Sequence, residues 1–380
     1  MSSLKRHVGS VLNSISLCYL CALCDSVVSG CPTFIHHRAT EDTKVAQRRP
    51  QTNTLTNVPI ALTLILCLFG FSACQRMPGP ASVEAAKPAA NSRVEKKSSQ
   101  RQTETYGPPR TPGTLQDPAI NESSGIIASR TTPGLYWTHN DSGDGPYIYA
   151  LDDHGARRGT WRVRGASARD WEDIAAGPGP ETGVNYLYIG DIGDNGEELS
   201  EIVVYRLKEP TIKPENSNSS KLKPLVTEDA EAIHFRYPDG AHNAEALLVH
   251  PKTGNLYIVT KIPFANSFVY EAPAPQDTTS LTTLNRIAEL KIPSMFGGLV
   301  TGGDISPDGL RVALCDYLDG YELALADSRT SFDEIWKQPL KPLDLGKRKQ
   351  GEAIAYRLDG RALLATSEGR HSSLIEVVRR

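Results

Sequence analysis

The chain has 380 residues and a formal net charge of -3, with 39% hydrophobic and 22% charged residues. That length holds one large or two ordinary domains, and the composition is that of a soluble globular body rather than a bundle of membrane spans. The near-balanced charge supplies no broad basic field, which speaks against nucleic acid as a partner.

Residues 1–50 carry no domain-like pattern. Cys18, Cys21, Cys24 and Cys31 lie there, but no second ligand pair follows at the spacing a zinc site needs. Either translation starts downstream of this stretch, or it is an extension with an apolar segment near residues 11–29. Residues 51–73 read as a signal peptide or membrane segment: Lys44 and Arg48-Arg49 precede the apolar run 58–73, which ends Phe71-Ser72-Ala73-Cys74. Small residues just before a cysteine, after an apolar stretch, resemble a bacterial lipoprotein signal, with cleavage before Cys74 and a lipid on its thiol. An uncleaved anchor and a cleaved secretory signal are the alternatives. Residues 74–114 are rich in Ala, Pro, Ser, Lys, Gln and Thr. They lack the apolar residues to build a core and read as a disordered tether.

From residue 115 to 380 the texture is strand after strand. A first unit runs Ser124–Ala128, Leu135–Thr138, Tyr147–Leu151 and Thr160–Val163. A second begins at Asp173 and ends, after a long insertion at Pro210 to Val226, with Glu231–Phe235. A third runs from Ala246 to Leu290, a fourth from Asp304 to about Leu345, and a fifth holds three strands between Ala353 and Val378. Pro133-Gly134, Lys252-Thr-Gly254-Asn255, Ser306-Pro-Asp-Gly309 and Leu358-Asp-Gly360 mark hairpins between the first two strands of four units. Repeated four-stranded units predict an all-β fold, a β-propeller of five blades, with six blades or a two-sheet sandwich as alternatives. The fifth unit lacks a strand, so one from Thr114 to Ile120 is expected to close the ring. Only Cys315 falls in this domain, which therefore has no internal disulfide.

Strand one of a blade lines the central channel, and its start shares a face with the end of strand two. The starts carry Glu122, Glu172 with Asp173, Glu245, Asp304 and Glu352. The ends carry His139-Asn140-Asp141, Asp191 with Asp194-Asn195, Lys261, Asp316 and Glu368. These residues should converge on one acidic mouth. Crowded carboxylates repel unless compensated, and Ca2+, with its six to eight oxygen ligands, is the candidate cofactor. Asp141, Asp173, Asp191, Glu245, Asp304 and Asp316 are the candidate metal ligands. Trp171, Glu172, Lys261, Glu352 and Glu368 are the candidate ligand-binding residues, with Trp171 placed to stack on a ligand. Lys261 is also an alternative neutraliser of the acids. No Gly-x-Ser-x-Gly elbow or His-Glu-x-x-His motif occurs, and His139 is the candidate general base.

Glu122-Ser-Ser-Gly-Ile126, Trp137-Thr-His-Asn-Asp-Ser-Gly-Asp144, Asp170-Trp-Glu-Asp-Ile-Ala175, Tyr188-Ile-Gly-Asp-Ile-Gly-Asp-Asn195, Asp304-Ile-Ser-Pro-Asp-Gly309 and Gln350-Gly-Glu-Ala-Ile-Ala355 together resemble a group of bacterial exported propeller proteins of uncharacterised function. The resemblance spans residues 117–378 and implies a propeller and an extracytoplasmic location. A looser similarity, in the acid-then-apolar pattern only, links the chain to phytase-like and lactonase-like propellers. The expected protein is a monomeric, envelope-tethered lipoprotein that binds a cation, small ligand or protein partner at its mouth. The alternative is a Ca2+-dependent hydrolase of phosphoesters, lactones or glycosides.

Overall fold

The computed structural model describes residues 106–380; the leader, Cys74 and most of the expected tether lie outside the described residues. Five β-sheets follow one another around an axis, forming a five-bladed β-propeller. Blade I comprises Ser123–Ala128, Leu135–Asn140, Tyr147–Asp152 and Arg157–Arg164. Blade II comprises Trp171–Pro178, Asn185–Asp191, Ile202–Lys208 and Glu231–Arg236. Blade III comprises Ala244–Val249, Leu256–Thr260, Ser267–Ala272 and Asn285–Leu290. Blade IV comprises Gly302–Ile305, Arg311–Cys315, Gly320–Ala324 and Lys341–Leu343. Blade V comprises Gly351–Tyr356, Ala362–Ser367 and Ser373–Val378.

The innermost strands are covered on both faces by neighbouring blades. They read as apolar runs such as Ile126-Ile127-Ala128 and Leu247-Leu248-Val249, all buried. The core is correspondingly divided into layers between blades, for instance Tyr188, Phe235, Leu247 and Tyr270 between II and III. Hairpin glycines 134, 254, 309 and 360 all have positive φ, which explains why glycine marks those turns.

The ring closes through a strand from the N-terminal side, as expected, but that strand is Arg110–Thr114 rather than Thr114 to Ile120. It pairs antiparallel with Ser373–Val378, and Arg110 Nε lies 2.7 Å from Glu376 Oε2. Arg-Thr-Pro-Gly-Thr does not read as a strand. An outermost strand with an irregular register between Arg110 and Gly113 tolerates its proline. Leu115 and Ile120, expected within the strand, are instead buried just after it.

The long connections between third and fourth strands each reach back to the preceding blade. Leu225–Asp229, inside the blade II connection, adds a parallel fifth strand to blade I. Thr282–Thr283 of blade III does the same to blade II. In blade IV the short 3-10 helix Phe332–Lys337 packs on the outer strand of blade III, with Ile335 and Trp336 buried. These additions cover sheet edges that would otherwise present unpaired backbone groups.

Candidate cation site at the channel mouth

Strand register places the residues at one end of the channel. Ser123 pairs with Asn140, Trp171 with Asp191, Ala244 with Thr260, and Gly351 with Ser367. In each of these four blades the register slips by one residue immediately afterwards, so Ser124, Glu172, Glu245 and Glu352 occupy equivalent bulges. A bulge frees a residue from the ladder and re-aims its side chain. Blade IV has no bulge; Gly303 pairs directly with Leu314 there.

Asp304 therefore lies in the regular ladder, opposite Ala313, and like Asp173 is not on a bulge. Their contacts match. Asp173 accepts hydrogen bonds from the amides of Ile174 (2.8 Å), Leu247 (3.0 Å) and Gly303 (3.3 Å). Asp304 accepts from Ile305 (2.7 Å) and Tyr356 (2.9 Å). Each is buried and ties its blade to the backbone of other blades. Burial pushes both carboxyls up, Asp304 to about 6. Asp191 is likewise occupied, by the amides of Asp170 (2.9 Å) and Arg169 (3.3 Å), and Asp316 by those of Leu318 and Asp319 and the Tyr321 hydroxyl. These four, expected as metal ligands, are held by hydrogen bonds within the protein and are not grouped with Asp141.

His139 and Trp171 also turn inward. The His139 ring is fully buried, 5.7 Å edge-on from Trp171, with Nδ1 against the Asn140 carbonyl. Burial depresses its basicity, and the ring has no exposed surface. Trp171 is 0% exposed and donates to the Ser167 carbonyl at 2.8 Å. Its expected stacking on a ligand gives way to core packing.

What the structure brings together is Asp141, Asp170 and Glu172, each with a carboxylate oxygen within 4.8 Å of the others. Asp170 was not among the expected ligands. Its signal was position: it and Glu172 flank the buried Trp171, and alternate residues of an extended segment share a face. Glu172 is buried yet takes no side-chain hydrogen bond or ion pair among the described residues. Burial, then Glu245, Asp141 and Asp170, hold its pKa well above the usual carboxylate range, and burial with Asp141 and Asp191 pushes Asp170 to about 6. The backbone of Gly193 closes directly over the pair: a Cβ there would sit 2.2 Å from Glu172 Oε1 and 2.3 Å from Asp170 Oδ2. Beside it opens a depression of about 450 Å³, lined by Ser142, Arg169, Asp170, Asp194 and Asn195.

Across the mouth, Lys261 ion-pairs with Glu245 and donates to the Tyr317 hydroxyl at 2.5 Å. Burial opposes the lysine's charge, but Glu245, Tyr317 and Glu352 outweigh it, and its pKa is raised. Glu352 accepts from Gln350 at 3.1 Å. Glu368 bridges to Glu122 through backbone pairing. Burial, Asp141 and Glu122 push the Glu368 carboxyl to about 7. Tyr317 and Gly193 were not legible as site residues, because each acts through a partner distant in sequence, and Gln350 acts only through its neighbour Glu352.

Three carboxylates around an open, oxygen-only centre fit a hard divalent cation, Ca2+ foremost, since its ligands are oxygens and its geometry is flexible. No family model matches the chain, and no curated protein matches it. Among solved structures it is similar to the nidogen/laminin complex, at 14% identity and TM-score 0.34, covering 65% of this chain and 73% of that one. It is also similar to the RRP9 WD40 repeats, at 10% identity and TM-score 0.33, covering 68% of this chain and 67% of that one. Likeness at this level carries no argument about the site.

Proposed function

We propose that this propeller binds a divalent cation, Ca2+, at its channel mouth through Asp141, Asp170 and Glu172. The observation that carries the reading is Glu172: a buried carboxylate with no hydrogen bond or ion pair from its side chain among the described residues, set beside two further carboxylates. Such an arrangement is unfavourable unless a proton or a cation compensates it, and a divalent cation neutralises all three carboxylates at once. Calorimetric titration of Ca2+ into the metal-stripped protein should give one saturable site, weakened at least about tenfold, or about 1.4 kcal/mol, by Asp170→Asn. An absence of binding, or equal binding by the variant, defeats the proposal. A lipid anchor on Cys74 belongs to the same reading and is checked by mass spectrometry of the mature N-terminus.

Glu368 favours a second reading, a Ca2+-dependent hydrolase of phosphoesters, lactones or glycosides. Its carboxyl, pushed to about 7, is poised to give or take a proton at neutral pH. Turnover of a generic phosphoester, lactone or glycoside that is equal in wild type and Glu368→Gln would remove that role.

A further inference from the structure

Six large apolar side chains are more than two-fifths exposed among the described residues. Leu222, Val226 and Leu281 belong to the outer connections described above. Phe264 (65% exposed), Met295 (78%) and Leu318 (47%) lie instead on loops at the mouth end. Lys261 and Tyr317, in contact within the mouth, directly precede two of these loops in sequence. Ile262–Pro263 pairs with Gly297–Gly298 as a short ribbon. Across it the Phe264 amide donates to the Phe296 carbonyl at 2.7 Å, and the two rings lie 6.3 Å apart.

Phe264 is held at φ +60, a left-handed conformation that a bulky residue seldom adopts. The ribbon fixes that backbone and points the ring at solvent rather than into the core. An exposed aromatic in strained backbone, on the rim of a site, is a feature that binding explains and packing does not.

The mouth also contains an internal example of how it holds an ammonium group. Lys261 Nζ pairs with the Glu245 carboxylate and lies 4.7 Å from the centroid of the Tyr317 ring, a cation–π contact. Asp141, Asp170 and Glu172 provide the same charge without a direct ion pair among the described residues.

We propose that this apolar lip and the acidic mouth form one docking surface for a partner polypeptide segment in which a lysine or arginine is flanked by large apolar side chains. The basic group enters the acids, and its apolar neighbours cover Phe264, Met295 and Leu318. Charge selects this occupant over an anionic membrane, which the carboxylates repel. The inference rests on the mouth being a cation site, and it makes Ca2+ and the partner's basic group competitors for Asp170 and Glu172.

The test uses the full-length protein and a short labelled peptide with Leu-Lys-Phe at the centre of a Gly-Ser background, followed by fluorescence anisotropy. Leu-Lys-Phe should bind about tenfold or more tighter than either Leu-Glu-Phe or Ser-Lys-Ser. Phe264→Gly combined with Met295→Ser, and separately Leu318→Ser, should reduce the advantage over Ser-Lys-Ser while leaving Ca2+ titration unchanged, which also reports that the variants are folded. Saturating Ca2+ should weaken the peptide. Equal binding of the three peptides, no binding of any, or co-sedimentation with phosphatidylserine vesicles in place of peptide binding overturns the inference. Ca2+ binding without peptide binding defeats the docking surface alone. Peptide binding without Ca2+ binding defeats the metal reading alone.

Discussion

Glu172 sets up a trade between stability and binding that a single substitution exposes. Carboxylate oxygens within 4.8 Å of one another repel by about 3 kcal/mol at an effective dielectric of about 20. Asp141 and Asp170 are partly solvated, and screening lowers each repulsion to about 1 kcal/mol. Replacing Glu172 by the neutral, near-isosteric Gln should therefore stabilise the metal-free protein by about 2 kcal/mol near pH 8, or about 4 °C in Tm. The gain should shrink on acidification. Folded-state pKa values raised above their unfolded values mean that the native state takes up protons as pH falls. The stability associated with these groups is fully present below their unfolded values near 4 and is lost as pH rises through about 6 for Asp170 and about 7 for Glu368. Wild type without metal should thus be more stable near pH 5 than near pH 8. Saturating Ca2+ should reverse the order near pH 8, stabilising wild type and not Glu172→Gln. Urea denaturation of both proteins, with chelator and with Ca2+, at the two pH values, provides the measurement. Destabilisation by Glu172→Gln in chelator near pH 8 would refute the reasoning, since it would mean that the carboxylate already has a favourable partner.

Two other substitutions separate scaffold from site. Asp173→Ala leaves the buried amides of Leu247 and Gly303 without their acceptor and should cost about 3 kcal/mol by chemical denaturation; a loss below about 1 kcal/mol would show that the interblade staple is dispensable. Gly193→Ala places a methyl group against Glu172 and Asp170 and should weaken Ca2+ at least tenfold (about 1.4 kcal/mol) in calorimetry, with the far-UV circular dichroism unchanged.

The blades were legible because their signals are local. Each hairpin between strands one and two carries its own glycine, and each inner strand is a short apolar run between two turns. The mouth was legible as a place for the same reason, since register follows from the hairpins. The individual ligands were not. Asp173 and Glu172 are adjacent in sequence, but one residue of bulge sends Glu172 to the mouth and leaves Asp173 on backbone amides of other blades. Asp304 looked equivalent to Glu172 because an isoleucine follows each within two residues; without a bulge in blade IV it stays in the ladder and, like Asp173, accepts from backbone amides. The closing strand was displaced by a few residues because Pro112 and Gly113 hide it, and only pairing with the far end of the chain makes it a strand.

That pairing also orders events in time. Arg110 meets Glu376 across 266 residues of chain, so on a ribosome the first strand emerges with its partner still unmade. Blade I, too, waits for Leu225–Asp229, and blade II for Thr282–Thr283, before their edges are covered. Blades I and II each gain an edge strand from the blade synthesised after them, and blade V gains one from the N-terminal side. Chains shorter than this pairing therefore carry an open edge, and the native ring is expected to form as a late, cooperative step after Ser373–Val378, the partner of Arg110–Thr114, has been released.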